Sequence, residues 1–286
     1  MKKIAHISDL HFGTEDKKIA EALLKDITEC KPDLIVVSGD LTQRARTKQF
    51  KAAKKYLDRF RFPKIIVPGN HDIPLFDIFR RFLAPLKRYK KIITDDLSPL
   101  FNDGEIAVYG INTARSLTWK EGRISYEQMR DMEEKLCSIP NEVFKIVVTH
   151  HPFIPPPEDD GIKLVGRSQK ALAVVDKCYI DLLLAGHLHV QYSGNVQPYY
   201  PKSVGSTIVS QAATAISNRV REEPNAYNMI YLDTNNIDIN VRVWNGKIFS
   251  GKETTSYDKK EDGWIAEKKI EDAEETKKNN NYSSRI

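Results

Sequence analysis

Two imidazoles separated by one residue, His187 and His189, follow directly on a short apolar run, Leu182 to Ala185, and a glycine at 186. Alternate residues of an extended segment project to the same side, so both rings can be aimed at one point just past the end of the run. That is how a chain presents nitrogen to a metal ion, although a lone pair of this kind is as readily structural. Four other apolar runs end in the same manner. Lys3 to Ser8 leads to Asp9 and His11, Leu34 to Val37 to Asp40, Lys64 to Val67 to Asn70, and Val143 to Val148 to His150. Singly, Asp or Asn in such places usually makes turn hydrogen bonds. Repeated at five run ends, the pattern points to one shared site. Carboxylate, carboxamide and imidazole without thiolate suit Mn²⁺, Fe or Zn²⁺ better than soft metals.

The runs are too short for helices and read as buried strands. Helical spacing lies between them. Asp16 to Cys30 carries Ile19, Leu23, Leu24 and Ile27 on one face, and Thr47 to Phe60 is a strongly basic helix. Pro74 to Tyr89 reads as one helix or as a pair broken around Pro85. Asp103-Gly104 marks a hairpin leading into a strand from Glu105 to Ile111. Ser125 and Gln128 fit a capping box that opens a helix through about Cys137. Pro155-Pro156-Pro157 with Glu158, Asp159 and Asp160 is an exposed loop, and another helix spans Arg167 to Lys177. Beyond Gln191 the pattern is β-rich: Val204 to Ser210, Asn228 to Leu232 and Ile237 to Val243. Alternation of strand and helix predicts an α/β fold, and open α/β sheets place ligands at the carboxyl ends of their strands. Residues 1–257 are expected to form one catalytic domain, and 258–286 a charged, disordered tail.

The chain has 286 residues, 41% of them hydrophobic, which suffices for a sizeable core. No run approaches a membrane span, and the amino terminus turns polar too early for a secretory signal. Cys30, Cys137 and Cys178 have no metal-site spacing and cannot all pair, so reduced cysteines and a cytoplasmic location are expected. The formal charge of +5 is modest but unevenly spread. Mixed charge in the tail and the lack of an aromatic-lined strand-binding surface argue against a nucleic-acid partner.

The series Asp9-Leu10-His11, Gly39-Asp40, Gly69-Asn70-His71-Asp72, His150-His151 and Gly186-His187-Leu188-His189 resembles the calcineurin-like metallophosphoesterases. Within them it is most similar to the bacterial branch containing class III cyclic nucleotide phosphodiesterases, over roughly Met1 to Val243. The resemblance implies a four-layer α-β-β-α sandwich with two mixed β-sheets and a dinuclear metal site at the strand C-terminal edge. It implies that Asp9, His11 and His189 hold one ion, that Asn70, His150 and His187 hold the other, and that Asp40 bridges both. A hydroxide shared by the two ions would attack phosphorus in line. His71 is then the expected general acid, with Asp72 orienting it and raising its pKa. His151 is expected in the wall of the site. The continuation Leu41-Thr42-Gln43-Arg44 departs from the Asp-rich pattern of the Ser/Thr protein phosphatases and disfavours that substrate class.

Substrate contacts are expected from basic side chains near these loops: Arg44 and Arg46, then Arg80 and Arg81, and Arg167 beside Gly166. Helical spacing over Leu75 to Leu86 predicts that Leu75, Phe79, Phe82, Leu83 and Leu86 gather on one face while Arg80, Arg81, Lys87 and Arg88 reach water. Such a stripe is ordinarily core packing. Directly after the Asn70 loop it also suits a lid or a surface meeting anionic lipid at the inner membrane face. The leading expectation is a metal-dependent phosphodiesterase of a small phosphodiester such as a 3',5'-cyclic nucleotide. The alternatives are a membrane-associated phosphatase or pyrophosphatase of a phosphorylated lipid precursor, such as a UDP-linked diacylglucosamine, and a metal-free scaffold.

Overall fold

One residue step along β1 (Lys2–Ile7) shows how the molecule is layered: Ile4 joins apolar side chains lying between two sheets, while Ala5 and Ile7 join those beneath a helical layer. A computed structural model describes residues 1–156, 161–200, 206–219, 223–261 and 263–271. In the first sheet β1 lies parallel to β2 (Leu34–Val37), which lies parallel to β3 (Lys64–Ile66). The second sheet has the order β4 (Leu100–Asn102), β5 (Ile106–Gly110), β6 (Phe144–Val148), β7 (Leu182–Ala185), β9 (Ile208–Gln211) and β8 (Tyr192–Asn195). Its four inner strands are parallel and its edges β4 and β8 antiparallel. The first sheet continues from β1 into an antiparallel ribbon of β10 (Ala226–Asp233), β11 (Asn236–Trp244), β12 (Phe249–Lys260) and β13 (Gly263–Glu271).

Helices α1 (Lys17–Cys30) and α2 (Thr47–Leu57) cover the first sheet, and α5 (Tyr126–Leu136) and α6 (Ser168–Lys177) cover the second. Strands buried on both faces need continuous apolar sequence, which is why the runs lack polar alternation. Asp16 caps α1 by accepting from Lys18 N–H at 2.8 Å, and Ser125 with Gln128 forms the expected capping box of α5. The result is the four-layer α-β-β-α sandwich with two mixed sheets.

Several expectations are corrected. The segment after Asn70 takes the form of a pair broken at Pro85, α3 (Ile78–Leu83) and α4 (Lys87–Ile92). Leu86 is buried and Arg80 exposed as expected, but α3 turns its apolar side chains outward and Arg81 inward. Phe79 and Leu83 are each 82% exposed, whereas Arg81 is 3% exposed. The guanidinium of Arg81 donates to the carbonyls of Ser116, Pro74 and Thr118, a fixed fork of donors that the 116–118 loop satisfies. Cys137 and Cys178, each at the end of one of two neighbouring helices, are joined by a disulfide and are not reduced; Cys30 is free and half-buried. The boundary expected at 257 falls inside β12, and 263–271 is a strand rather than disordered tail. There Trp264 is buried, donates from Nε1 to Asp181 at 3.2 Å and packs on Phe144. Lys259 pairs with the same carboxylate at 2.8 Å. Residues 272–286, the acidic end of the proline loop (157–160) and 204–205 of the expected strand lie outside the described residues.

Candidate metal centre

The carboxyl ends of β1, β2, β6 and β7 open on one edge, and the loops there turn sharply. Asp9, His11, Asp40, His187 and His189 all hold positive φ, between 45° and 79°. Non-glycine residues adopt this conformation at a cost, and it concentrates where function demands it. At Gly186 a Cβ would strike the Ser8 hydroxyl, so only glycine lets β1 and β7 approach this closely.

The loop turns bring the seven side chains into one cluster. Asp9 Oδ1 lies 3.4 Å from Nε2 of both His11 and His189. Asp9 Oδ2 accepts from the Ser8 hydroxyl at 2.7 Å and from His187 N–H at 2.9 Å. Asp40 spans the cluster, with Oδ2 3.7 Å from His11 Nε2 and Oδ1 3.4 Å from His150 Nε2. Asn70 Oδ1 is 3.1 Å from His150 Nε2. The triads Asp9–His11–His189, Asp9–Asp40–His150 and His150–His151–His187 each bring ligand atoms within 4.8 Å of one another.

Backbone carbonyls set the tautomers. His150 Nδ1 donates to Ser38 O at 2.8 Å and His189 Nδ1 to Arg219 O at 2.9 Å, so in each ring Nε2 is the nitrogen turned inward, where a cation could take the place of a proton. His151 differs. Its Nε2 donates to Lys120 O at 2.8 Å and its Nδ1 accepts from Thr113 at 2.7 Å, which makes it part of the wall.

The electrostatics suit cations. Burial would raise the carboxyls of Asp9 and Asp40, but the surrounding histidines hold both below the usual carboxylate range. Burial opposes charge on His150, yet the Asp40 and Asp9 carboxylates outweigh it and push that imidazole up to about 9. Burial and the neighbouring His150 push His187 down to about 3. Asp9 Oδ1 is buried without a hydrogen-bond partner between two imidazole nitrogens. A cation at that point would satisfy an atom whose isolation otherwise costs free energy. The donor set therefore fits bound metal cations.

Beside the cluster, a cavity of about 250 Å³ is lined by Asn70, His71, Arg44, Lys120, Trp119 and Arg219 among others. His71 is not oriented by Asp72, contrary to expectation. Its Nδ1 donates to Gln43 O at 3.0 Å, and burial, with lesser pushes from His11 and Arg219, lowers its pKa. Asp72 instead ties loops together: its carboxylate accepts from the N–H groups of Gly69, Leu41 and Thr42 and from the Thr42 hydroxyl. Burial and the nearby Asp40 push Asp72 up to about 6.

Of the expected substrate contacts, Arg44 lines the cavity and His151 stands in the site wall. Arg46, Arg80, Arg81 and Arg167 do not line it. Arg46 is exposed at the start of α2, Arg80 pairs with Asp77 at 2.6 Å, Arg81 is buried on carbonyls, and Arg167 lies over Tyr126. Arg219 was missed. It sits in the loop after β9, and β9 runs parallel to β7, so the same strand-end rule extended by one strand would have found it.

The sequence model of the calcineurin-like phosphoesterases matches residues 2–191. The chain belongs to this family. Relatives within it are distant. The glycerophosphodiester phosphodiesterase GpdQ of Enterobacter lignolyticus is 29% identical over 175 residues, 53% of this chain and 57% of that protein. The chain thus spans little more than half the length of that relative. A 3',5'-cyclic-nucleotide phosphodiesterase of Nostoc is 23% identical over 203 residues, 66% of this chain and 72% of that one. Among solved structures, a dimetal phosphatase from Danio rerio superposes with a TM-score of 0.63 at 14% identity, covering 85% of this chain and 96% of that chain. That likeness shows a shared fold. No helix among the described residues is long and apolar enough to cross a membrane.

Proposed function

We propose that this calcineurin-like phosphoesterase is a two-metal phosphodiesterase of a small phosphodiester, with a 3',5'-cyclic nucleotide as first candidate and a glycerophosphodiester as second. The observation that carries the reading is the placement of Asp40, whose two oxygens face different groups of ligand atoms. Asp9, His11 and His189 would hold one ion, Asn70, His150 and His187 the other, and Asp40 both. When bound, such a pair supplies an activated water nucleophile and neutralises charge developing on the phosphate oxygens.

The chain's own residues do the rest. Carbonyls hold the imidazoles of His150 and His189 through Nδ1, leaving Nε2 as the nitrogen that would meet an ion. Arg44, Lys120 and Arg219 line the adjoining cavity with positive charge suited to phosphate oxygens. His71, at the same wall with its ring held by Gln43, would give a proton to the leaving oxygen once Nε2 carries one in place of the bond it accepts from Arg219. Leu75 and Trp119 in that wall favour a second reading, a phosphorylated lipid substrate.

The test is hydrolysis of 3',5'-cyclic AMP, glycerophosphocholine and a UDP-linked diacylglucosamine by protein reconstituted with Mn²⁺. Cleavage of a diester that is lost in Asp40→Asn and His150→Asn supports the reading, and the preferred substrate decides between its forms. Metal-replete protein that leaves every diester intact refutes it, and protein that takes up no metal would restore the scaffold reading.

A further inference from the structure

Helix α3 is built with its apolar side chains outward. Phe76, Ile78, Phe79, Phe82 and Leu83 are 53% to 82% exposed, and Leu117 and Trp119 nearby are 84% and 60% exposed. Single exposed apolar residues need no explanation, but a contiguous group marks an interaction surface. The group is held together. Arg81 stacks 5.0 Å from the Trp119 ring while its donors grip Pro74, Ser116 and Thr118, and Arg44 lies 5.3 Å from the Phe76 ring. Asp77 caps α3 by accepting from Arg80 N–H at 3.2 Å. Burying the arginine is thus what keeps the phenylalanines in water.

Charge narrows the choice of partner. Residues 73–94 contain six basic residues and one acidic residue, Asp77. That carboxylate is already shared by Arg80 and Arg88. Lys87, Lys90 and Lys91 of α4 are exposed and make no ion pair among the described residues. A second copy of the chain would set like charge against like, and an uncharged apolar partner would leave the lysines unused. A bilayer of anionic phospholipid meets both requirements, since its headgroup–acyl boundary takes Phe and Leu and its phosphates take Lys.

We propose that α3, with Leu117 and Trp119, docks on an anionic phospholipid surface, with the α4 lysines against its phosphates. Leu75 and Trp119 also line the cavity beside Asn70 and His71, so docking sets the mouth of the metal centre at the headgroup layer. The inference does not depend on the activity proposed above, because binding is read without turnover.

The experiment is flotation of the full chain with vesicles of phosphatidylglycerol mixed equally with phosphatidylcholine, and with vesicles of phosphatidylcholine alone. Wild type is expected to float with the anionic vesicles at least about tenfold better than with the neutral ones. The double variant Phe79→Ser/Leu83→Ser is expected to lose about tenfold or more of that binding. Lys87→Glu/Lys90→Glu/Lys91→Glu is expected to lose the preference for anionic lipid. An unchanged thermal melt shows that each variant is folded. Equal flotation of wild type and the Phe79/Leu83 variant overturns the proposal, as does absence of binding to either vesicle. A wild-type dimer that the Phe79/Leu83 variant dissociates would also overturn it, by assigning the patch to a second copy.

Discussion

Arg219 Nη1 lies 3.1 Å from Nε2 of His71, in the wall of the cavity beside Asn70. With Nδ1 of that ring donating to Gln43, Nε2 accepts from the guanidinium, which disfavours the imidazolium form. Burial is the larger influence on this ring, and a positive charge supplied by a distant loop adds to it. Substitution Arg219→Gln should raise the His71 pKa, so the alkaline limb of the kcat profile moves to higher pH. KM for a diester should rise about tenfold from loss of a charge-assisted phosphate contact. A pH–rate series on both proteins measures the two effects separately.

Asp72 is expected to matter through the loops. Its carboxylate satisfies three buried N–H groups and one hydroxyl, so Asp72→Ala strands several donors at once. The expected loss is about 3 kcal/mol or more in urea unfolding, with weakened metal uptake because Asp40 and Asn70 sit on the loops it joins. If Asp72→Ala kept wild-type stability and lost only kcat, a direct catalytic role would be reinstated.

His6 allows a pH test outside the ligand set. Burial pushes its imidazole from the ordinary 6.5 down to about 3, and its Nδ1 has no partner. Between those values the unfolded chain takes up a proton that the folded chain refuses. Its contribution to stability is therefore complete above pH 6.5 and declines as pH falls towards 3. Chemical denaturation across this window should show a shallower slope in His6→Gln.

Metal stoichiometry tests the proposed bridging role of Asp40 against the proposed terminal role of His189. Asp40→Ala should lose both ions, whereas His189→Ala should weaken chiefly the site shared with Asp9 and His11. Elemental analysis after dialysis distinguishes them, and thermal melts with added Mn²⁺ should show the upward shift in Tm disappear in Asp40→Ala.

The strands carrying Asp9, Asp40, Asn70, His150, His187 and His189 were legible because strands buried on both faces require uninterrupted apolar sequence, and each run ended in a side chain of unusual type. Nothing comparable advertised β12 and β13, whose one exposed face reads as Thr, Ser and Lys; Trp264 was their only strong mark. The orientation of α3 was invisible for another reason. Periodicity shows that a helix has an apolar side but not that a buried arginine, satisfied by loop carbonyls, will turn that side to solvent. The pairing of Cys137 with Cys178 depended on two helices ending side by side, a tertiary fact with no local signature.

His11 and His189 stand 3.4 Å apart and 178 residues apart along the chain. At translation rates of about 5–20 residues per second, roughly ten to forty seconds separate their emergence from the ribosome. During that interval the early half-site, Asp9, His11, Asp40 and Asn70, is rich in oxygen and suits hard ions such as magnesium. Only when His150, His187 and His189 arrive does nitrogen predominate and the preference move towards transition metals. The order of synthesis thus brings out the oxygen-rich half of the proposed centre well before the imidazoles of the second sheet that would complete it.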